Sequence, residues 1–164
     1  MDGLTVKVDF LEAGSSGPVV MLVHSSVAGA RQWRRLMDDL KDQFRVRAVN
    51  LYGYGKTPPW PNEKRQTLDD QARLVEAALP AGADDIYLVG HSFGGSVAVK
   101  AAARLKGRVS RLVLLEPTLG GTATSPTSEC KRCFPQTNSD GKNAFIVAAS
   151  FIALAAGKSV SVSK

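Results

Sequence analysis

The sequence predicts an α/β domain, a mostly parallel sheet with helices on both faces. Two observations predict the class. Apolar runs of strand length alternate with segments of helical period, and the connections between them are short. A third observation predicts where function sits: the chemically useful residues fall at the C-terminal ends of the apolar runs, where open parallel sheets hold ligands. With 164 residues the chain is long enough to bury one core, and 44% hydrophobic against 22% charged residues argues against disorder.

Taken in order, Thr5–Phe10 (TVKVDF) alternates apolar and polar residues, as an edge strand does. The loop EAGSSGP follows, and PVVMLVHS then reads as a strand covered on both faces. In ARQWRRLMDDLKDQF, Trp33, Leu36, Met37 and Leu40 fall on one helical face. Phe44–Leu51 is the next strand, and GYGKTPPWPNEKRQ a turn-rich loop. Thr67 is an N-cap with Asp69 and Asp70 in the first turn of a helix running to about Leu79. Asp85–Val89 is a strand, Ser92–Leu105 an Ala-rich helix, and Val109–Leu115 a strand ending at Glu116-Pro117. Beyond Thr118 periodicity is lost through GGTATSPTSECKRCFPQTNSDGKN, after which Ala144–Gly157 reads as a short apolar helix.

Charge and cysteines narrow the function classes. The net charge is +6, but up to Leu119 the 16 basic residues are interspersed with 13 acidic ones. That is a solvated surface, with no basic stripe for nucleic acid. The 14 residues Ala144–Gly157 fall short of the roughly 18–20 that a spanning helix needs. The first residues, MDGLTVKVDFLEAG, carry no signal-peptide pattern. The expectation is a soluble cytoplasmic protein with no membrane or nucleic-acid partner. Cys130 and Cys133 form C-x-x-C, but the two histidines are remote in sequence and the stretch is rich in Ser, Thr and Pro. They read as incidental thiols, and no metal or cofactor is expected.

The run YLVGHSFGG, residues 87–95, carries the chemistry. A nucleophile on a sharp strand-to-helix turn sits in a strained backbone, and small residues two before and two after keep strand and helix from colliding. Gly90 and Gly94 stand at those places around Ser92. The same turn aims a helix N-terminus at the site, so that the Phe93 N–H faces a developing oxyanion. In VMLVHSSVAGARQW, His24 ends a strand and small residues follow, and the N–H of Ser26 is the candidate second donor. His24 reads as a residue that shapes this loop rather than a proton carrier. His91 precedes the nucleophile, and strand alternation turns its side chain away from that of Ser92. Tyr52, Tyr54 and Trp60 either line the pocket or cover the sheet edge.

LVHSS followed by Trp33, then NLYGYGKT, LVGHSFGGSVAVKAA and RLVLLEP, occur in this order over about residues 18–117. Together they resemble the α/β-hydrolase superfamily, its serine-nucleophile, esterase- and lactonase-like branch above all. The resemblance implies a three-layer α/β-hydrolase-type sheet, here truncated after about the sixth strand. It implies Ser92 as nucleophile, oxyanion donors at Ser26 and Phe93, and hydrolysis of a carboxylic ester, thioester or lactone. Ser92 at this position excludes the aspartate nucleophile of the related epoxide hydrolases and haloalkane dehalogenases. Two positions depart from the pattern: Ser25 stands where the family's loop usually has Gly, and Asn50 where it usually has Asp.

A serine needs a base within hydrogen-bond reach, and the fold supplies the acid and then the histidine late in the chain. No histidine follows His91 in this sequence. Glu116 is a candidate acid or, equally, a strand-end residue before Pro117. The domain expectation is residues 1–117 as the N-terminal part of a hydrolase domain and 118–164 as a divergent or foreign tail. The functional expectation is a weakly active or inactive form acting on a small ester-like molecule. The alternative is a catalytically dead module that binds a small molecule or a protein. Oligomeric state is not legible, although Ala144–Gly157 could serve as an interface.

Overall fold

The computed structural model describes residues 6–118 and the strand Ala144–Ala148. The described elements are β1 (Phe10–Ala13), β2 (Val19–Val23), a 3-10 turn (Ala30–Trp33) leading into α1 (Arg34–Leu40), β3 (Arg45–Val49) and α2 (Leu68–Ala78). They continue with β4 (Ile86–His91), α3 (Phe93–Leu105), a 3-10 turn (Lys106–Arg108), β5 (Val109–Leu115) and β6 (Ala144–Ala148). The strand order is β1-β3-β2-β4-β5-β6, with β1 antiparallel and the remaining neighbours parallel. This is the expected mostly parallel sheet.

Three layers follow from alternation along the central strand. Val19, Met21 and Val23 of β2 face the α2–α3 side, where Val75, Val97, Ala101 and Leu105 pack. Val20 and Leu22 face the opposite side and meet Trp33 and Met37. All five residues of β2 are buried, which is why its sequence is uniformly apolar. Leu36 and Leu40 complete the stripe on the α1 side as half-buried neighbours.

The α2 start is a capping box. The Thr67 hydroxyl accepts from the Asp70 N–H, and the Asp70 carboxylate accepts from the Thr67 N–H at 2.8 Å. Helices α2 and α3 are tied by Arg104, which donates to Asp69 at 3.0 Å and to Glu76. The hydrogen bond from Arg104, with help from neighbouring cations, holds the Asp69 carboxyl below its ordinary pKa.

Two expected elements differ. The first strand is Phe10–Ala13 rather than Thr5–Phe10. Its ladder with β3 runs from Phe10↔Val49 to Ala13↔Val46. One residue earlier the Asp9 N–H is taken by the Thr57 hydroxyl instead, at 2.9 Å. The partner strand and this loop contact set the element, not the alternation in TVKVDF. The second difference is Ala144–Ala148, a strand rather than the start of a helix, pairing in parallel with β5 from Arg111↔Ala144 to Leu115↔Ala148. A continuous apolar run does not distinguish a buried strand from a helix by period. Phe, Ile and Val favour the strand, and the free edge of β5 supplies the partners that an exposed ladder lacks. The rest of the expected helix, 149–157, and both cysteines lie outside the described residues.

Candidate active site

The C-terminal ends of β2, β3, β4 and β5 bring together His24, Asn50, Ser92 and Glu116. Ser92 has φ 52° and ψ −119°, left-handed backbone that a non-glycine residue adopts only under constraint. Such a conformation costs about 1–3 kcal/mol. Four hydrogen bonds hold it there. The Ser92 N–H donates to the Leu115 carbonyl at 2.8 Å, and the Ser92 carbonyl accepts from Gly95, Thr118 and Ser96 at 2.9, 3.2 and 3.4 Å. At about 0.5–1.5 kcal/mol net for each sound bond, these offset the strain.

Both flanking glycines are steric necessities. A Cβ on Gly90 would strike the Gly94 carbonyl and sit 2.7 Å from the Gly95 Cα. A Cβ on Gly94 would strike the carbonyl oxygens of Val23 and His24. The third glycine, Gly95, makes room for Pro117, whose Cβ would lie 2.8 Å from an added methyl. The sequence reading did not weigh that role. Ser96 adds a further tie, its hydroxyl donating to the Thr118 carbonyl.

The loop after β2 is built from polar side chains. His24 is fully buried. Its Nδ1 lies 2.7 Å from the Ser25 carbonyl, and its Nε2 accepts from the Leu51 N–H at 3.1 Å. A backbone N–H only donates, so the Nε2 is unprotonated and the neutral ring donates through Nδ1. Burial holds His24 below the ordinary imidazole pKa, against the smaller opposing effect of the Ser25 hydrogen bond. The ring of Tyr54 packs edge-on at 4.5 Å. With both nitrogens engaged, His24 shapes the loop and has no free atom for Ser92.

That hold has a consequence for Ser26. The Ser25 carbonyl and the Ser26 N–H belong to one trans peptide and point in opposite directions. Fixing the carbonyl toward His24 therefore aims the Ser26 N–H the other way. Neither the Ser26 N–H nor the Phe93 N–H hydrogen-bonds to another described residue. Ser25 has no positive φ, so the serine in place of the family's usual glycine carries no backbone penalty.

Asn50 is a buried junction. Its Oδ1 accepts from the Ala30 N–H at 2.8 Å, its Nδ2 donates to Asp9 Oδ2 at 2.8 Å, and its carbonyl accepts from the Thr57 hydroxyl at 2.8 Å. The carboxylate that the family usually carries at this position is supplied from Asp9, and Asn50 contributes the complementary donor. Asp9 Oδ2 also accepts from the Lys56 N–H at 2.9 Å. Asp9, Thr57 and Gln32 are site-supporting residues that the sequence reading missed. Asp9 stood inside an expected strand, and a lone Gln in a helical segment gives no signal.

His91 turns toward Gln32, whose Nε2 lies 2.9 Å from His91 Nδ1. Glu116 is exposed at the end of β5, with φ 45°. Tyr52 and Trp60 stack edge-on at 5.1 Å, and the Trp60 indole donates to the Lys64 carbonyl. Burial, followed by the charge of Asp70, raises the Tyr52 phenol above its ordinary pKa. The open cavity lined by Glu12, Ala13, Gly14, Ser15 and Arg45 lies at the opposite end of the sheet from Ser92. Among the described residues, no group of three or more His, Cys, Asp or Glu stands ready for a metal, and no helix is long and apolar enough to cross a membrane.

A left-handed serine between obligatory glycines thus forms a tight strand-to-helix turn at the C-terminal edge of this sheet. The profile of the alpha/beta hydrolase fold family matches residues 18–139, and the chain belongs to that family. It is 36% identical over 111 residues to the lipase LipV of Mycobacterium tuberculosis, covering 65% of this chain and 40% of that protein. It is 31% identical over 114 residues to a haloalkane dehalogenase of Mesorhizobium japonicum, covering 69% and 36%. The structure of a marine microorganism esterase superposes with a TM-score of 0.64 at 21% identity, covering 78% of this chain and 49% of that one, a likeness of fold. The chain spans about 40% or less of the length of these two curated relatives.

Proposed function

We propose that Ser92 is the nucleophile of a serine-esterase-type site for small carboxylic ester, thioester or lactone substrates. The N–H groups of Ser26 and Phe93 hold the oxyanion. The observation that carries this reading is the strained Ser92 backbone beside two N–H groups without a described acceptor. The serine oxygen would attack the carbonyl carbon, the carbonyl π pair would move to oxygen between the two donors, and a base would take the serine proton. His24 does not supply that base, because both its nitrogens are committed. His91 presents Nδ1 to Gln32, and as the neighbour of Ser92 in the chain it is poorly placed to serve. These are the two histidines of the sequence. The 164-residue chain on its own is therefore weakly active at most. Losing a triad member leaves roughly 10³–10⁴-fold catalysis over water in the enzymes where it has been measured.

The test is turnover of p-nitrophenyl acetate by the purified chain beside Ser92→Ala. Slow, Ser92-dependent turnover supports the reading, and rates typical of an intact serine esterase overturn the weak-activity part. Binding of a small ester with no Ser92-dependent turnover favours the alternative, a small-molecule-binding module that keeps the pocket without the chemistry. Glu116 stays a candidate acid on its position at the strand end beside Ser92.

The proposed domain division belongs to the same reading: residues 1–117 are hydrolase sequence and 118–164 a divergent or foreign tail. The loss of pattern after Thr118 supports it. The family match continues to residue 139 and β6 pairs with β5, which favours divergence over foreign sequence up to that point. Resequencing the gene and transcript across codons 110–130 and onward in every frame decides between them. A frame that restores two strands, an acid and a late histidine marks the tail as foreign.

A further inference from the structure

Gln32 stands between the two sides of the site, bonded to Ser25 on one and to His91 on the other. Its amide orientation follows from a fixed donor. The Ser25 N–H lies 3.1 Å from one amide atom of Gln32, and a backbone N–H only donates, so that atom is the oxygen Oε1. The Ser25 hydroxyl donates to the same oxygen at 3.0 Å. The amide nitrogen is thereby left facing His91 Nδ1 at 2.9 Å. An amide nitrogen only donates, so Nδ1 carries the lone pair and the proton of the neutral His91 ring sits on Nε2.

We propose that Gln32 is a positioning residue, one side-chain amide that locks the loop bearing the Ser26 donor to the strand end bearing Ser92 and fixes the tautomer of His91. The inference rests on Ser26 being an oxyanion donor. His24 holds Ser25 by its carbonyl, at 2.7 Å, and Gln32 holds it by its N–H and hydroxyl. The residue before the donor is clamped from both sides, and the second clamp is anchored on the residue before the nucleophile. The two halves of the oxyanion hole therefore keep their spacing as one unit.

The test is nitrogen-15 NMR of the full chain in mildly alkaline buffer. In the wild type, His91 Nδ1 resonates as an acceptor nitrogen and Nε2 as a proton-bearing one. Gln32→Met removes the Gln32 bonds to Ser25 and to His91 and leaves the His24 bond in place, so the His91 Nδ1 resonance shifts away from its hydrogen-bonded position and the Ser25 amide exchanges about tenfold faster. Gln32→Glu separates the two roles. Its carboxylate still accepts from Ser25, so Ser25 protection is retained, but it has no hydrogen to donate and the His91 proton moves to Nδ1. If Gln32→Met does not fold, the near-isosteric Gln32→Glu carries the test alone. An unchanged His91 Nδ1 resonance in Gln32→Met or an unchanged tautomer in Gln32→Glu overturns the proposal, as does an unaltered Ser25 amide in Gln32→Met. Ester turnover is scored separately. Its absence sinks the Ser92 reading without touching this result, and a failed tautomer test sinks the clamp while leaving Ser92 in place.

Discussion

Around Ser92 the chain is held by atoms it lacks, and around Ser26 by atoms it adds. Gly90 and Gly94 let β4 and α3 cross so closely that a single methyl would collide with backbone. The loop from His24 to Ala30 instead hangs on the side chains of His24, Gln32 and Asn50. The first region fails when something is inserted, the second when a hydrogen bond is removed. Mutations should divide the two by mechanism and by size.

The largest effect is expected at the elbow. We predict that Gly94→Ala destabilises the chain by about 3 kcal/mol, because the new methyl meets the carbonyls of Val23 and His24 rather than a movable side-chain end. Gly107→Ala, which meets nothing within 4 Å, should stay within about 0.5 kcal/mol. Urea unfolding of both variants checks this, and equal losses would refute the steric account of the elbow.

In the loop, His24→Ala should cost about 2–4 kcal/mol, since it opens a cavity and strands the buried Leu51 N–H. Acid gives a second readout. Burial holds His24 below its unfolded pKa, so the unfolded chain binds the extra proton first. Stability contributed by the neutral ring is present above the unfolded imidazole pKa and is lost as pH falls toward the folded one. The wild type should lose stability over that window, and His24→Ala should lack this component. Comparing urea midpoints near neutrality and in mild acid decides it.

How far each region was legible in the sequence follows from the same contrast. Glycines at fixed offsets around a serine, after a strand and before a helix, state the elbow directly, because the constraint is local in the chain. The loop's supports are not local. Asp9 meets Asn50 across 41 positions and Gln32 meets His91 across 59. Nothing in the spacing of single polar residues predicts such pairs. The same holds for β1 and β6, whose places were fixed by partner strands rather than by their own patterns. The departure at Asn50 was visible in sequence, and its reason, the carboxylate of Asp9, was not.

Asn50→Asp tests that reason. It puts a second carboxylate where Nδ2 lies 2.8 Å from Asp9 Oδ2, and we predict a loss of about 1–3 kcal/mol at neutral pH. The like charges raise a carboxyl pKa in the folded state, so stability is lost as pH rises through ionisation and recovers as pH falls. Adding Asp9→Asn to Asn50→Asp should restore part of the loss, since donor and acceptor change sides at this contact while the Lys56 N–H loses its acceptor. A double-mutant cycle with no coupling would show that the pair does not act as a unit.

The smallest effect is expected where the loop carries an optional tie. Ser25→Gly returns this position to the family's usual residue and removes the hydroxyl that donates to Gln32 Oε1 at 3.0 Å. The Ser25 N–H remains on the same oxygen and the His24 bond to the Ser25 carbonyl is untouched. The backbone here has no positive φ, so glycine brings no relief of strain, only a more flexible unfolded chain. We predict a loss of about 0.5–1 kcal/mol by urea unfolding, with the His91 tautomer unchanged. A gain in stability would mean that Ser25 is strained after all. The loop would then resemble the elbow, with a side chain tolerated rather than used.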